Sequence, residues 1–372
     1  MLFRSEAMLL NTGDLTLTDG FLNLGTKTLT LDGVTVTRVS GAINGNAGTL
    51  LLTGNANTFT APFRNDLFTP DVPAGSSPTL YNLTVNITET TDADLTVNNN
   101  LALGAVLDYT GDNLTVKGNI TYTTGTLTHG GTGTLILDGT GTVTGLANAL
   151  FTASFVQHLT VKRAETLAGN LRIDGTLIMN SGVQYLNLST YTFDIRGAIK
   201  IESGSLIGSA GTVLLDNNTL TTIPANLFKD NTIKNLTLED NLDYTLGGDL
   251  TIGSTLTQAT IGDINTNGNI LTIAAGATIP TYDGTDHIIG TLKRTVTNSA
   301  TVFPVGGGVD DDYRPLTLQF ATAGSALEVT VTSYKKNPTY GKGGDPSRAI
   351  QSVWTVSSDG TAPNDKIGRA HV

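Results

Sequence analysis

The sequence predicts an all-β protein: a right-handed parallel β-helix (a solenoid), followed by a small, truncated antiparallel β-sandwich-like module. Three observations lead there. The first is a phrase that recurs at a fixed period: Gly-Thr-Leu, then Leu-Phe, then Asn-Leu-Thr-Val. Its last part begins at Asn82, His158 and Asn235, which are 76 and 77 residues apart. Leu67-Phe68, Leu150-Phe151 and Leu227-Phe228 precede it, and Gly48-Thr49-Leu50, Gly133-Thr134-Leu135 and Gly211-Thr212-Val213 come earlier still. Self-similarity at a long fixed period marks a stacked, quasi-one-dimensional chain. Second, short runs of alternating apolar and polar residues end on Asp-Gly or a similar pair, as in Leu171-Arg172-Ile173-Asp174-Gly175. Such alternation turns one side of a strand inward. Third, Leu, Val, Ile and Thr dominate, only 14% of residues are charged, and the 43 Gly follow no Gly-X-Y register. That composition excludes collagen and disfavours helices and disorder.

The elements follow in order. Residues 1–292 form the solenoid, and its start is truncated: Gly13-Asp14-Leu15-Thr16-Leu17 already lies inside a repeat. Upstream rungs and an export signal are therefore expected to be missing, because an uncapped rung exposes strand edges. Each super-repeat would hold roughly three or four coils of about 20–25 residues. Asn-Gly and Asp-Gly pairs supply the corners, since both residue types tolerate positive φ. His158 stands where the repeat has Asn and reads as a corner residue. One copy carries an insertion, Thr69 to Pro78, with three prolines. Proline cannot join a central ladder, so this stretch reads as a surface loop and a candidate for specificity.

Residues 293–365 form the second module. Leu316, Leu318 and Phe320, then Leu327, Val329 and Val331, read as a hairpin about Ala321–Gly324, and Val353–Val356 reads as one more strand. Residues 366–372, Lys-Ile-Gly-Arg-Ala-His-Val, look like the in-frame translation of a sequencing adapter.

Candidate chemistry is sparse. With no Cys, thiolate nucleophiles, disulfides and Cys-based metal sites are excluded. No Gly-x-Ser-x-Gly elbow occurs. His129, His158 and His287 are isolated in sequence, with no His-x-His or His-Glu-x-x-His. Asp174, Asp194, Asp216, Asp249 and Asp263 are spread along the chain and read as turn residues beside Gly or Asn. Asp310, Asp311 and Asp312 are the one acidic cluster, a candidate Ca²⁺ site with Arg314 as the alternative partner. Net charge is −11, so no basic face for nucleic acid is visible. No apolar run is long enough to span a bilayer.

Four segments stand out near the junction: His287-Ile-Ile-Gly-Thr-Leu-Lys-Arg294, Phe303-Pro-Val-Gly306, Tyr313-Arg-Pro-Leu316 and Trp354. Together with the Asn-Leu-Thr-Val repeats, this set resembles large secreted, repeat-rich surface proteins of Bacteroidetes-type bacteria. The resemblance implies β-helical repeats followed by a β-module, an extracellular or cell-surface location, and an adhesive or structural role. It supplies no catalytic residues. On this reading the protein is a non-enzymatic, adhesin-like monomer within a longer chain. Its partners are glycans or other cell-surface components, with no nucleic acid and no membrane span in this stretch. The alternative is a glycan-active β-helix, a polysaccharide lyase or hydrolase, which would need carboxylates clustered with Lys or Arg on one face.

Overall fold

Strands recur once per coil, each lying parallel to its counterpart in the next coil, so the chain is a β-solenoid of about 12 turns. The computed structural model describes residues 8–45, 47–54, 57–59, 67, 79–91, 93–216, 221–239, 242–258, 262–283, 286–307, 313–320, 326–335 and 352–359. Two compact units divide them: residues 1–187 with 196–205, and residues 188–195 with 206–372.

In the first unit the coils have three strand-bearing sides. One side stacks Leu95–Val97, Asn113–Val116, Thr134–Leu137 and His158–Val161 in parallel. Another stacks Thr49–Thr53, Asn82–Val85, Leu101–Leu103 and Ile120–Tyr122. The third stacks Glu89–Thr90, Leu107–Asp108 and Leu127–Thr128. Alternation does the rest. Leu95, Leu114, Leu135 and Leu159 share one register and are at most 1% exposed, as an inward ladder requires. Steps along this ladder are 19, 21 and 24 residues, in keeping with the coil size read from the repeats. Between Thr49 and Asn82 the step grows to 33 residues, the coil that contains the insertion. The insertion, residues 69–78, lies outside the described residues, as do Asp310–Asp312 and residues 366–372.

The corners explain the Asn, Asp and Thr of the repeat. A side-chain oxygen in one coil accepts the backbone N–H of the next. Asn82 Oδ1 accepts from Asn100 (3.1 Å), Asn100 Oδ1 from Asn119 (3.2 Å) and Asn119 Oδ1 from Thr142 (3.0 Å). Asp94, Asn148 and, in the second unit, Asp249 serve Asn113, Arg172 and Ile270 in the same way, each at 2.8 Å. His158 fits this scheme: its Nδ1 accepts the Thr176 N–H at 2.9 Å, so it replaces the asparagine oxygen function for function. Burial, then His129, lowers its pKa, which keeps that nitrogen an acceptor. Glycine is required where coils touch at a corner. A Cβ on Gly197 would lie 1.4 Å from the Gly175 carbonyl oxygen.

In the second unit Phe193, Val213, Leu236 and Leu256 form an inward ladder of their own. The strand Ile288–Val296 marks a change of pattern. It pairs in parallel with Ile264–Ile273 on one edge and antiparallel with Leu327–Lys335 on the other. Leu327–Lys335 then pairs antiparallel with Ser352–Ser358, the strand expected about Trp354. The hairpin expected about residues 321–324 is not how these strands pair. Leu316–Leu318 pairs with Thr301–Phe303, while Leu327–Lys335 adds to the solenoid's last strand. Alternation identified both strands but carries no information about partner choice; in the observed pairing Phe303 and Leu292 are fully buried.

Candidate functional site

The four junction segments converge in space within the second unit. Ile288 N–H donates to the Pro304 oxygen (2.9 Å), and Ile288 and Ile289 pair with Val305 and Gly306. Gly306 bridges to Tyr313, Arg314 N–H donates to the Val305 oxygen (3.0 Å), and Trp354 Nε1–H donates to the Arg314 oxygen (3.0 Å). Ser333 Oγ–H also donates to the Gly306 oxygen. Under this knot lies His287, fully buried, its ring centroid 6.0 Å from that of Tyr313. The Asp263 carboxylate is 3.1 Å from His287 Nδ1, and the same Oδ1 accepts the His287 backbone N–H at 2.8 Å.

Beside the knot is a cavity of 210 Å³, walled by Pro280, Tyr282, Arg294, Val302, Pro304 and Tyr313 among others. Arg294 donates one N–H to the Val302 oxygen at 2.5 Å and to nothing else among the described residues. Burial pulls its pKa down. Tyr282 is 5% exposed, and its hydroxyl has no hydrogen-bond partner among the described residues. Burial, then the field of Asp286, pushes the Tyr282 phenol up; burial, then Asp283 and Asp286, does the same for Tyr313. Both stay protonated donors at neutral pH.

A second concavity, 470 Å³, opens on the first unit between Gly139–Thr142, Lys162–Ala164 and Gln184. Its floor is a buried ion pair. Arg163 Nε–H donates to Glu165 Oε1 at 2.7 Å, with side chains 3% and 1% exposed. Arg163 Nη1 reaches the carbonyl oxygens of Val116, Gly118 and Asp138 at 2.7–3.0 Å, while Glu165 Oε2 accepts the Val143 N–H at 3.1 Å. Burial raises the Glu165 carboxyl, opposed by Val143 and Arg163. The turn's own N–H groups are occupied: Thr140 and Gly141 donate to Lys117, and Thr142 to Asn119. They form no anion cradle.

Of the aspartates the sequence singled out, Asp174 pairs with Arg172 (2.7 Å from Nη2), Asp249 caps Ile270 and Asp263 meets His287. Asp263 is thus a buried partner rather than an exposed turn residue. Two pairs escaped sequence reasoning. Asp263 and His287 are 24 residues apart, which is one coil, so the repeat period was the signal that could have joined them. Arg163 and Glu165 continue the inward alternation of Val161, where the pattern calls for apolar residues. His129 lies inside the coil, its Nε2 2.9 Å from the Phe155 oxygen, among Tyr109, Phe151 and Phe155. Among the described residues no three His, Asp or Glu are grouped to hold a metal, and no helix is long and apolar enough to cross a membrane. No family model, curated protein or solved structure matches the chain.

Proposed function

We propose that this chain is a non-enzymatic, adhesin-like structural protein of an extracellular surface, binding through its outer strand faces and loops. One observation carries the reading. Between the inward positions, successive coils align Thr96, Thr115, Ile136 and Thr160 in register over four coils. Thr96, Thr115 and Ile136 are half-buried and Thr160 is buried, so hydroxyl-bearing residues recur on the side away from the leucine ladder. A rigid, repeating face of this kind suits extended polymers such as surface glycans, which offer hydroxyls at regular spacing. The groove over Arg163 lies on the same unit and widens the contact area.

The test is retention of the full-length chain on immobilised neutral and acidic polysaccharides, run beside an assay for new reducing ends and unsaturated products. Retention without product is the expected result. Release of product would replace this reading with the glycan-active one and direct attention to Lys162, Arg163 and Glu165. Neither retention nor product would remove both.

A further inference from the structure

The cavity beside the junction knot has the composition of a ligand site, and the Thr-lined faces give it no role. Its wall holds a guanidinium with one carbonyl partner and no carboxylate partner among the described residues. In the same wall a phenol hydroxyl is buried without a partner. The guanidinium is only partly buried, but the Tyr282 hydroxyl is a buried donor without a partner among the described residues, and such a group calls for an explanation. An acceptor ligand that takes both hydrogen bonds would supply it.

We infer that the cavity formed by Tyr282, Arg294, Pro304 and Tyr313 binds the carboxylate of a single acidic sugar residue, a uronate. Arg294 would hold the carboxylate and Tyr282 would donate its O–H to a ligand oxygen. Charge-assisted bonds from guanidinium to carboxylate are the strong ones. Asp263, Asp283 and Asp286 near the two tyrosines disfavour added negative charge, a dianion such as phosphate more than a single carboxylate. Size points the same way. A cavity of 210 Å³ far exceeds the ~10–15 Å³ that admits a water and falls short of the ~300–1,000 Å³ of drug-sized pockets. One ring fits. A peptide C-terminus is the other carboxylate of comparable size, but it is usually captured by a nest of backbone N–H groups. Pro280 and Pro304 contribute none, and the Val302 carbonyl is already engaged by Arg294. Tyrosine and proline rings instead offer flat apolar faces to a sugar ring.

The site stands apart from the scaffold reading and would hold whether or not the outer faces bind polymer. It also carries its own reporter. Trp354 is the one tryptophan of the chain, and its Nε1–H is bonded to the carbonyl of Arg314, next to Tyr313. The experiment titrates the full-length chain with D-galacturonate, following Trp354 fluorescence and heat. D-Galactose, acetate and N-acetylglycine serve as comparisons. Saturable galacturonate binding is expected, with D-galactose at least about tenfold weaker, as the loss of one charged hydrogen bond implies, and with acetate and N-acetylglycine weaker because they lack the ring that would cover the tyrosine and proline faces. Arg294→Gln should weaken it by about tenfold or more and Tyr282→Phe by severalfold. Should Arg294→Gln fail to fold, Tyr282→Phe, which removes one oxygen, decides alone. No binding, galactose binding equally well, or affinity indifferent to both variants would overturn the proposal. Tighter binding of N-acetylglycine would overturn it in favour of a peptide terminus.

Discussion

Glu89 shows how a single residue can carry a conflict that the fold tolerates. It occupies an inward position in register with Leu107 and is 6% exposed. Among the described residues its one side-chain partner is Asn57, whose Nδ2 lies 3.4 Å away and also donates to the Leu31 oxygen. Burial pushes its carboxyl up from 4.5 to about 7, and the Asn57 contact only partly offsets that. Because the folded value lies above the unfolded one, Glu89 favours the fold fully below pH 4.5. That contribution is lost as the pH rises to about 7. A shift of this size corresponds to on the order of 3 kcal/mol. Glu89→Gln should therefore raise unfolding stability at pH 8 by on the order of 1–3 kcal/mol and leave it nearly unchanged at pH 4.5. Urea midpoints at the two pH values check this, and equal effects at both would refute it. Alternation places Glu89 inward, yet nothing in its neighbourhood along the chain reveals Asn57, which is 32 residues away.

At the scale of the element, the strand end after Val161 matters most. Arg163 spans three coils, bonding carbonyl oxygens at Val116 and Gly118 in one and at Asp138 in the next while pairing with Glu165 in its own. It replaces apolar ladder contacts by a polar staple. Removing one member strands the other charge in the core, which costs about 3–5 kcal/mol, whereas replacing both by apolar groups is often neutral or better. Arg163→Met should thus destabilise strongly and Arg163→Met/Glu165→Leu should recover most of the loss. Thermal melting of the two variants separates these outcomes; a double variant no better than the single would contradict the staple. The strands themselves were legible, because Leu114, Leu135 and Leu159 announce the inward face by period. Their partners beyond the solenoid were not: Leu316–Leu318 and Leu327–Lys335 look like one hairpin in sequence and pair elsewhere in space.

At the scale of the whole molecule, contacts run from coil to coil, and stability should follow. Stacked repeats behave as sums of unit and nearest-neighbour terms. Within the first unit, hydrogen exchange in rising urea should lose protection in blocks of one or two coils across 79–161, and simultaneous loss over the whole stretch would argue against it. The super-repeat made this architecture readable from Asn82, His158 and Asn235 alone. The candidate cavity was less so. Its segments from His287 to Leu316 stand out in the sequence, but Tyr282 joins them only through folding, and the insertion and Asp310–Asp312 lie outside the described residues. The corner ladder has one further consequence. In Asn82, Asn100 and Asn119 the acceptor always precedes its donor along the chain. Each finished coil therefore presents a row of primed oxygens to the coil not yet made. The polypeptide is its own template, read from the amino end, and a chain delivered that end first can wind itself up as it arrives.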